Sequence, residues 1–321
     1  GTGRLVSSIG DCHICVMGSE KIVESIEDAM LMVLAHPVSA SGQLPTTYVT
    51  WMHGRSPLGE GEGRAPRESH LIIMDNGRTE MRDDPKMREA LYCIRCGACM
   101  NVCPTYGMVG GQTFGHIYPG PIGICWTAGV HGLETAGDFA PLCISCGLCK
   151  EICPAQIDMP HMIAEIKHRD AQVKGRRLST QVMMGADKAA KLGSLTAPIA
   201  NMALKIQPLR NLMEKTIHLS AQRKLPPFAP TSFMQQFKKH RSNVTDPTHK
   251  VALFIDIYAN YNNPKLGMAA VAHLESLGCK VVVPDQQAAG YPFIAYGDMT
   301  RARRTAEYNV LKFTPYIQQG Y

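Results

Sequence analysis

The chain has 321 residues, with 33 Lys and Arg, 27 Asp and Glu, and 12 Cys. Its 45% hydrophobic and 19% charged content excludes a wholly disordered chain and leaves room for more than one core. No run approaches ~18 uninterrupted apolar residues, which excludes a transmembrane helix of ordinary type. The net charge of +6 is uneven, because Glu165 to Lys250 holds 16 Lys and Arg but 5 Asp and Glu.

Residues 1–82 read as α/β. Cys12–Met17 alternates like a strand, so Cys12 and Cys15 face opposite sides and cannot chelate one ion together. They read as buried structural cysteines. Glu24–Ala35 places Ile26, Ala29, Met30, Val33 and Leu34 at helical spacing. Thr46–Met52 and His70–Asp75 are strand candidates. Between them, Gly59-Glu-Gly-Glu-Gly63 lacks the strand and helix that a dinucleotide loop needs. Asn76-Gly77 signals a turn. Asp84 is placed to cap a short helix from Pro85 to Tyr92.

The cysteines then decide the class. Cys93-Ile-Arg-Cys96-Gly-Ala-Cys99-Met-Asn-Val-Cys103-Pro104 and Cys143-Ile-Ser-Cys146-Gly-Leu-Cys149-Lys-Glu-Ile-Cys153-Pro154 each read C-x2-C-x2-C-x3-C-P. This is the bacterial ferredoxin run for [4Fe–4S] ligation. Three thiolates on a tight loop address one cube, while the fourth sits past a turn and reaches the other. The proline redirects the chain. Gly97 and Gly147 let backbone lie close to the clusters. Two [4Fe–4S] clusters with crossed ligands are expected. Cluster one takes Cys93, Cys96, Cys99 and Cys153; cluster two takes Cys143, Cys146, Cys149 and Cys103. Structural zinc would use C-x2-C pairs but has no need of the third cysteine and the C-P. Disulfides fit this spacing worse still, and thiolate ligation implies a reducing compartment.

Cys125 reads as packing near the clusters, and Cys279 as a buried strand cysteine. The insert 104–142 is dense in Gly and Pro and reads as irregular, tightly packed chain rather than long helix. Its His116 and Tyr118 read as a hydrogen-bonding pair in that loop or as residues that tune a cluster or contact a partner. A helix from Met159 to His168 closes a cluster domain over 83–168. Residues 169–248 read as a basic linker of two or three helices broken by Gly193, Pro198 and Pro208, with Leu225-Pro226-Pro227-Phe228 as a connector. From 249 a new domain begins. A strand at Val251–Ile257, a helix at Pro264–Leu277 stopped by Gly278, a strand at Lys280–Val283 and a helix from Asp298 to about Lys312 make a βαβα unit. The triplet Asn243-Val-Thr245 is accidental in a reducing compartment.

Asp75-Asn-Gly-Arg78, the first cysteine run, Tyr118-Pro-Gly-Pro-Ile-Gly123 and the second run, in this order, resemble the lactate-utilisation iron–sulfur protein B family. Gly18-Ser-Glu-Lys-Ile-Val23 with Glu27-Asp-Ala29 resembles the end of that family's LUD domain. The resemblance covers residues 1–168. Because the chain opens on Gly and only the later part of a LUD domain is visible, sequence is expected to be missing at both ends. Tyr258-Ala-Asn-Tyr-Asn-Asn-Pro264 and Gly290-Tyr-Pro-Phe-Ile-Ala-Tyr-Gly297 look like the CCG domain of heterodisulfide reductase B and glycerol-3-phosphate dehydrogenase C subunits. Here the CCG cysteines are replaced by Ile257, Ala288 and Ala289, so the repeat is degenerate. The implied architecture has four parts. Residues 1–82 are a partial LUD α/β domain and 83–168 a mainly helical 2[4Fe–4S] ferredoxin domain. Residues 169–248 are a helical linker and 249–321 a βαβα CCG-like domain.

The resemblance implies an electron-transfer subunit in the cytoplasm, relaying single electrons from a 2-hydroxy-acid (lactate) oxidising partner to a quinone or other carrier. No dinucleotide, zinc-protease or serine-hydrolase motif is present, so no substrate chemistry is expected on the chain itself. A thiol–disulfide reductase subunit and a redox-sensing or assembly protein are the competing readings. The basic segment 180–222 suits the inner face of the cytoplasmic membrane or a partner subunit. Nucleic acid is not expected, for want of an aromatic and basic surface motif.

Overall fold

The structure is a computed structural model that describes residues 12–41 and 68–321. The strand expected at Thr46–Met52 and the loop at Gly59–Gly63 lie outside the described residues. The chain divides into two compact units, residues 1–166 and 167–321.

In the first unit, β1 (Cys12–Gly18) and β2 (Glu68–Met74) pair in parallel, from Cys12 opposite Glu68 to Gly18 opposite Met74. A parallel pair needs a crossover, and α1 (Ile26–Ser41) lies within it. Asn76 and Gly77, at φ 42° and 82°, turn the chain from β2 into α2 (Arg78–Asp83). The helix expected from Pro85 is a turn followed by a 3-10 helix at Arg88–Tyr92. Asp84 closes that turn, its carboxylate accepting from the Lys86 N–H at 2.9 Å. Helices α3 (Ala98–Asn101) and α4 (Pro104–Thr113) follow, then α5 (Gly120–Val130), α6 (Leu133–Phe139) and a 3-10 turn at Ala140–Leu142. Next come α7 (Leu148–Glu151) and α8 (Met159–Lys174).

The insert between the cysteine runs is therefore helical, contrary to its composition. Some of its glycines serve close contacts inside helices rather than loops. Gly123 lies in α5, where any Cβ would overlap the Tyr118 carbonyl oxygen, and Gly129 gives its space to Met81. Only Gly110, at φ 73°, kinks its helix. Around them Phe114, Ile124, Cys125, Ile157, Met162 and Ile163 form a core with at most 2% exposure. Cys125 is packing, as its sequence context predicts.

The second unit runs through α9 (Leu178–Met184), α10 (Ala186–Leu195), α11 (Ala197–Ala203), α12 (Gln207–Ile217) and α13 (Phe233–Lys239). Pro198 and Pro208 open α11 and α12, where a missing N–H costs nothing. Gly193 does not break a helix. It sits inside α10 because the Phe228 ring occupies the space of a side chain. Asn201 clamps Phe228 at both its N–H and its carbonyl, each at 2.8 Å. Strands β3 (His249–Ala252) and β4 (Cys279–Val282) pair in parallel around α14 (Pro264–Ser276). Gly278, at φ 78°, ends that helix, and Cys279 is buried in β4. β3 is shorter than expected because the Gln286 side chain takes both backbone groups of Ile255. Helices α15 (Tyr291–Ala295) and α16 (Met299–Gln318) complete the unit, the second capped by Asp298 through the Arg301 N–H at 3.1 Å. Helix thus dominates an otherwise α/β order of elements. Among the described residues, no helix is long and apolar enough to cross a membrane.

Candidate metal centre

The two cysteine runs fold as copies. In each, the first and last cysteines are half-buried, the second exposed and the third buried. The residue before the second cysteine is left-handed in both, Arg95 at φ 60° and Ser145 at φ 55°. That conformation aims its N–H back at the first sulfur. Arg95 donates to Cys93 Sγ at 3.3 Å, and Ser145 to Cys143 Sγ at 3.4 Å. Gly97 and Gly147, at φ 79° and 88°, then start the one-turn helices α3 and α7, which carry the buried Cys99 and Cys149. Cys103 closes the first run and accepts from the Tyr106 N–H at 3.5 Å.

A cavity of about 140 Å³ is lined by Cys93, Cys96, Cys99 and Cys153, together with Arg95, Tyr118 and Trp126. Electrostatics couples the thiols within each set and also links Cys99 with Cys149 across the two. Cys99 is pushed up to about 11 by burial first, is held back by a backbone hydrogen bond from Ile122, and then feels Cys93, Cys153 and Cys96. Cys149 is pushed up to about 12 by burial, and then feels Cys143, Cys99, Cys146 and Cys103. As free thiols these groups stay protonated near neutral pH, and a metal that bound them would have to displace those protons.

Three further observations fit a sulfur-rich cluster. Backbone N–H groups already point at sulfur. Among the described residues, Trp126 Nε1 in the cavity wall is buried without an acceptor, and the Ser145 hydroxyl in the second run is buried without a partner. Buried polar groups without partners are costly, and cluster sulfurs are acceptors of the right kind.

The wall beside Cys93 is charged. Arg95 stacks over Trp126 and Tyr118, 4.8 and 5.1 Å from the ring centres. Glu20, with a side chain 3% exposed, pairs with Arg78 at 2.5 Å and lies 3.7 Å from Arg95. Lys21 donates to the Cys93 carbonyl at 3.1 Å. Arg78 covers Trp126 from 5.2 Å. Tyr118 and His116 also sit close to the His131 ring. Sequence reasoning named Tyr118 as a residue that tunes a cluster or contacts a partner, and it lines the cavity. It missed Glu20, Arg78, Arg95 and Trp126, which no spacing rule joins. The only hint lay in the inequality of Arg95 and Ser145 at matching positions.

Cys12 is exposed, not buried as the strand pattern suggested. At this edge of the sheet it lies with Glu68 and His70, their ligand atoms within 4.8 Å of one another. Cys15 is not part of that group.

Residues 89–157 match the 4Fe-4S dicluster domain, and residues 1–74 match the LUD domain. The chain carries a 4Fe-4S dicluster domain. Curated relatives include lactate utilization protein B of Shouchella clausii, 36% identical over 208 residues, covering 65% of this chain and 42% of that protein. Lactate utilization protein B of Bacillus cytotoxicus is 37% identical over 259 residues, covering 75% of this chain and 52% of that protein. An uncharacterized electron transport protein of Escherichia coli is 43% identical over 123 residues, covering 38% and 25%. These matches bear out the resemblance to lactate utilization protein B. The chain spans about half the length, or less, of the curated relatives it matches. No solved structure matches it. The dicluster match supports [4Fe–4S] clusters as the cofactor.

Proposed function

We propose that this chain is an iron–sulfur electron-transfer subunit serving lactate oxidation. The observation that carries the reading is the cavity walled by Cys93, Cys96, Cys99 and Cys153, three thiols of one run and the last of the other. The complementary set is Cys143, Cys146, Cys149 and Cys103. When bound, each [4Fe–4S] cluster supplies one-electron chemistry at a potential set by its surroundings. The chain's own part is to fix the thiolates, donate N–H groups to sulfur and keep the buried third cysteine of each run dry.

Oxidation of lactate to pyruvate releases two electrons and two protons. Two single-electron stations suit such a donor on a partner subunit, with a quinone or similar two-electron, two-proton carrier as the final acceptor. The relatives' printed names support the lactate assignment. The second run presents Leu142, Ile144, Leu148 and Ile152 at its exposed rim, a surface suited to a redox partner. Residues 249–321 act as a degenerate CCG-like domain. Asp256, next to Ile257, accepts from the Ala289 N–H at 3.1 Å, which supports this reading of the 257 and 289 positions. The four-part division at 82, 168 and 248, a cytoplasmic location and contact of the basic segment with a membrane surface belong to the same proposal.

The test is iron and acid-labile sulfide per chain, with EPR during an anaerobic redox titration. About eight irons and two interacting reduced-cluster signals are expected. Zinc in place of iron would overturn the reading.

A further inference from the structure

The two cysteine runs share a backbone but not an electrostatic setting. Arg95 and Ser145 hold the same left-handed position and make the same N–H contact to sulfur. Their side chains differ by a full charge. The Arg95 guanidinium is not a loose surface cation. It is stacked on Trp126 and Tyr118 and steered by Glu20, and all three aromatic and basic groups line the cavity of Cys93, Cys96, Cys99 and Cys153. Lys21 is held at the same place by its bond to the Cys93 carbonyl. The group of Glu20, Lys21, Arg78 and Arg95 is one carboxylate among three cations, so it leaves positive charge beside this site.

Adding an electron to a cluster adds negative charge. The Arg95 side chain is 44% exposed, so water screens part of its charge, but a cation held over the cavity wall by two rings still favours that form. We propose that Arg95 makes cluster one the higher-potential station of the two, and that electrons therefore come to rest at cluster one, beside the Glu20–Lys21 segment. The stacking on Trp126 and Tyr118 is what makes Arg95 a positioning residue, since it holds the charge in one place. The inference rests on the ligand sets of the proposed function.

The test is an anaerobic EPR titration of the purified chain, wild type against three variants, with iron counted in each. Cys99→Ser identifies which signal belongs to cluster one. Arg95→Gln should shift the cluster-one midpoint downward and leave cluster two in place, whereas Arg95→Lys should keep most of the wild-type value. Glu20→Gln, which removes the opposing charge, should shift the same midpoint upward. A purely structural role would not give opposite signs for the two neutralisations. The proposal is overturned if Arg95→Gln and Glu20→Gln both leave the midpoint unchanged, or shift it the same way, in protein with full iron. It is also overturned if cluster one titrates below cluster two in the wild type. Absence of iron from the wild type would instead sink the cluster reading itself.

Discussion

Lys86 donates its ammonium to Glu165 across 2.7 Å, joining the turn before the first cysteine run to the helix after the second. Glu165 is almost buried, with a side-chain exposure of 6%, while Lys86 remains half open at 50%. The bond therefore fastens the two ends of the cluster-bearing stretch. Glu165→Ala should lower stability by about 1–3 kcal/mol, the range for a charged hydrogen bond with one partner inside. Chemical denaturation of the cluster-loaded protein measures it.

Cys99→Ser should remove about half of the iron and one of the two reduced-cluster signals. Cys153→Ser should remove the same signal as Cys99→Ser, although it belongs to the other run. Loss of the opposite signal would show that each run keeps its own cluster and that the ligands are not crossed.

Gly123→Ala should be severe. The added methyl would meet the Tyr118 carbonyl, a backbone atom that cannot step aside. Overpacking of this kind costs about 1–3 kcal/mol or more. Because Tyr118 lines the cluster-one cavity, the variant should also change the cluster-one EPR line shape. An unchanged spectrum with lowered stability would separate packing from the site.

Asp187→Asn should stabilise the second unit at neutral pH. Burial first, and then Asp256, raise the Asp187 carboxyl above its ordinary value. The folded state therefore prefers the proton that the unfolded state gives up more readily. Stability from this group is full below the unfolded value and is lost as pH rises through the folded one. The neutral amide escapes that loss. Urea midpoints between acid and neutral pH should fall less steeply in the variant, with an unchanged m-value.

Thiol labelling of the native protein should reach Cys12 well before Cys125 or Cys279. Cys12 is exposed, Cys125 and Cys279 are buried, and burial pushes the Cys125 thiol well up. Peptide mapping after brief maleimide treatment gives the order. Early labelling of Cys125 would contradict the packing of the first core.

What the sequence made readable was local. Eight cysteines at fixed spacing, the βαβ order around Pro264–Ser276 and the helix start near Asp298 all declare themselves through neighbours a few residues apart. The helices of 104–142 were hidden because glycine lowers helix propensity wherever it stands. At Gly123 and Gly129 that cost is met by contacts with Tyr118 and Met81 that no linear pattern displays. Gly193 misled for the same reason, since Phe228 lies far along the chain. The charged wall beside Cys93 draws on residues 20, 21, 78 and 95, from three separate stretches, and only the fold brings them together.

The paired left-handed residues have one more consequence. A non-glycine residue in that conformation costs roughly 1–2 kcal/mol. Glycine would relieve it, yet Arg95 and Ser145 stand there instead. Each loop is thus a bent spring held shut by the sulfur that its N–H meets. Release of both clusters would unfasten Cys93 and Cys143 and so loosen each loop at those positions first, and an emptied chain should exchange the amide hydrogens of Arg95 and Ser145 ahead of the core around Ile163.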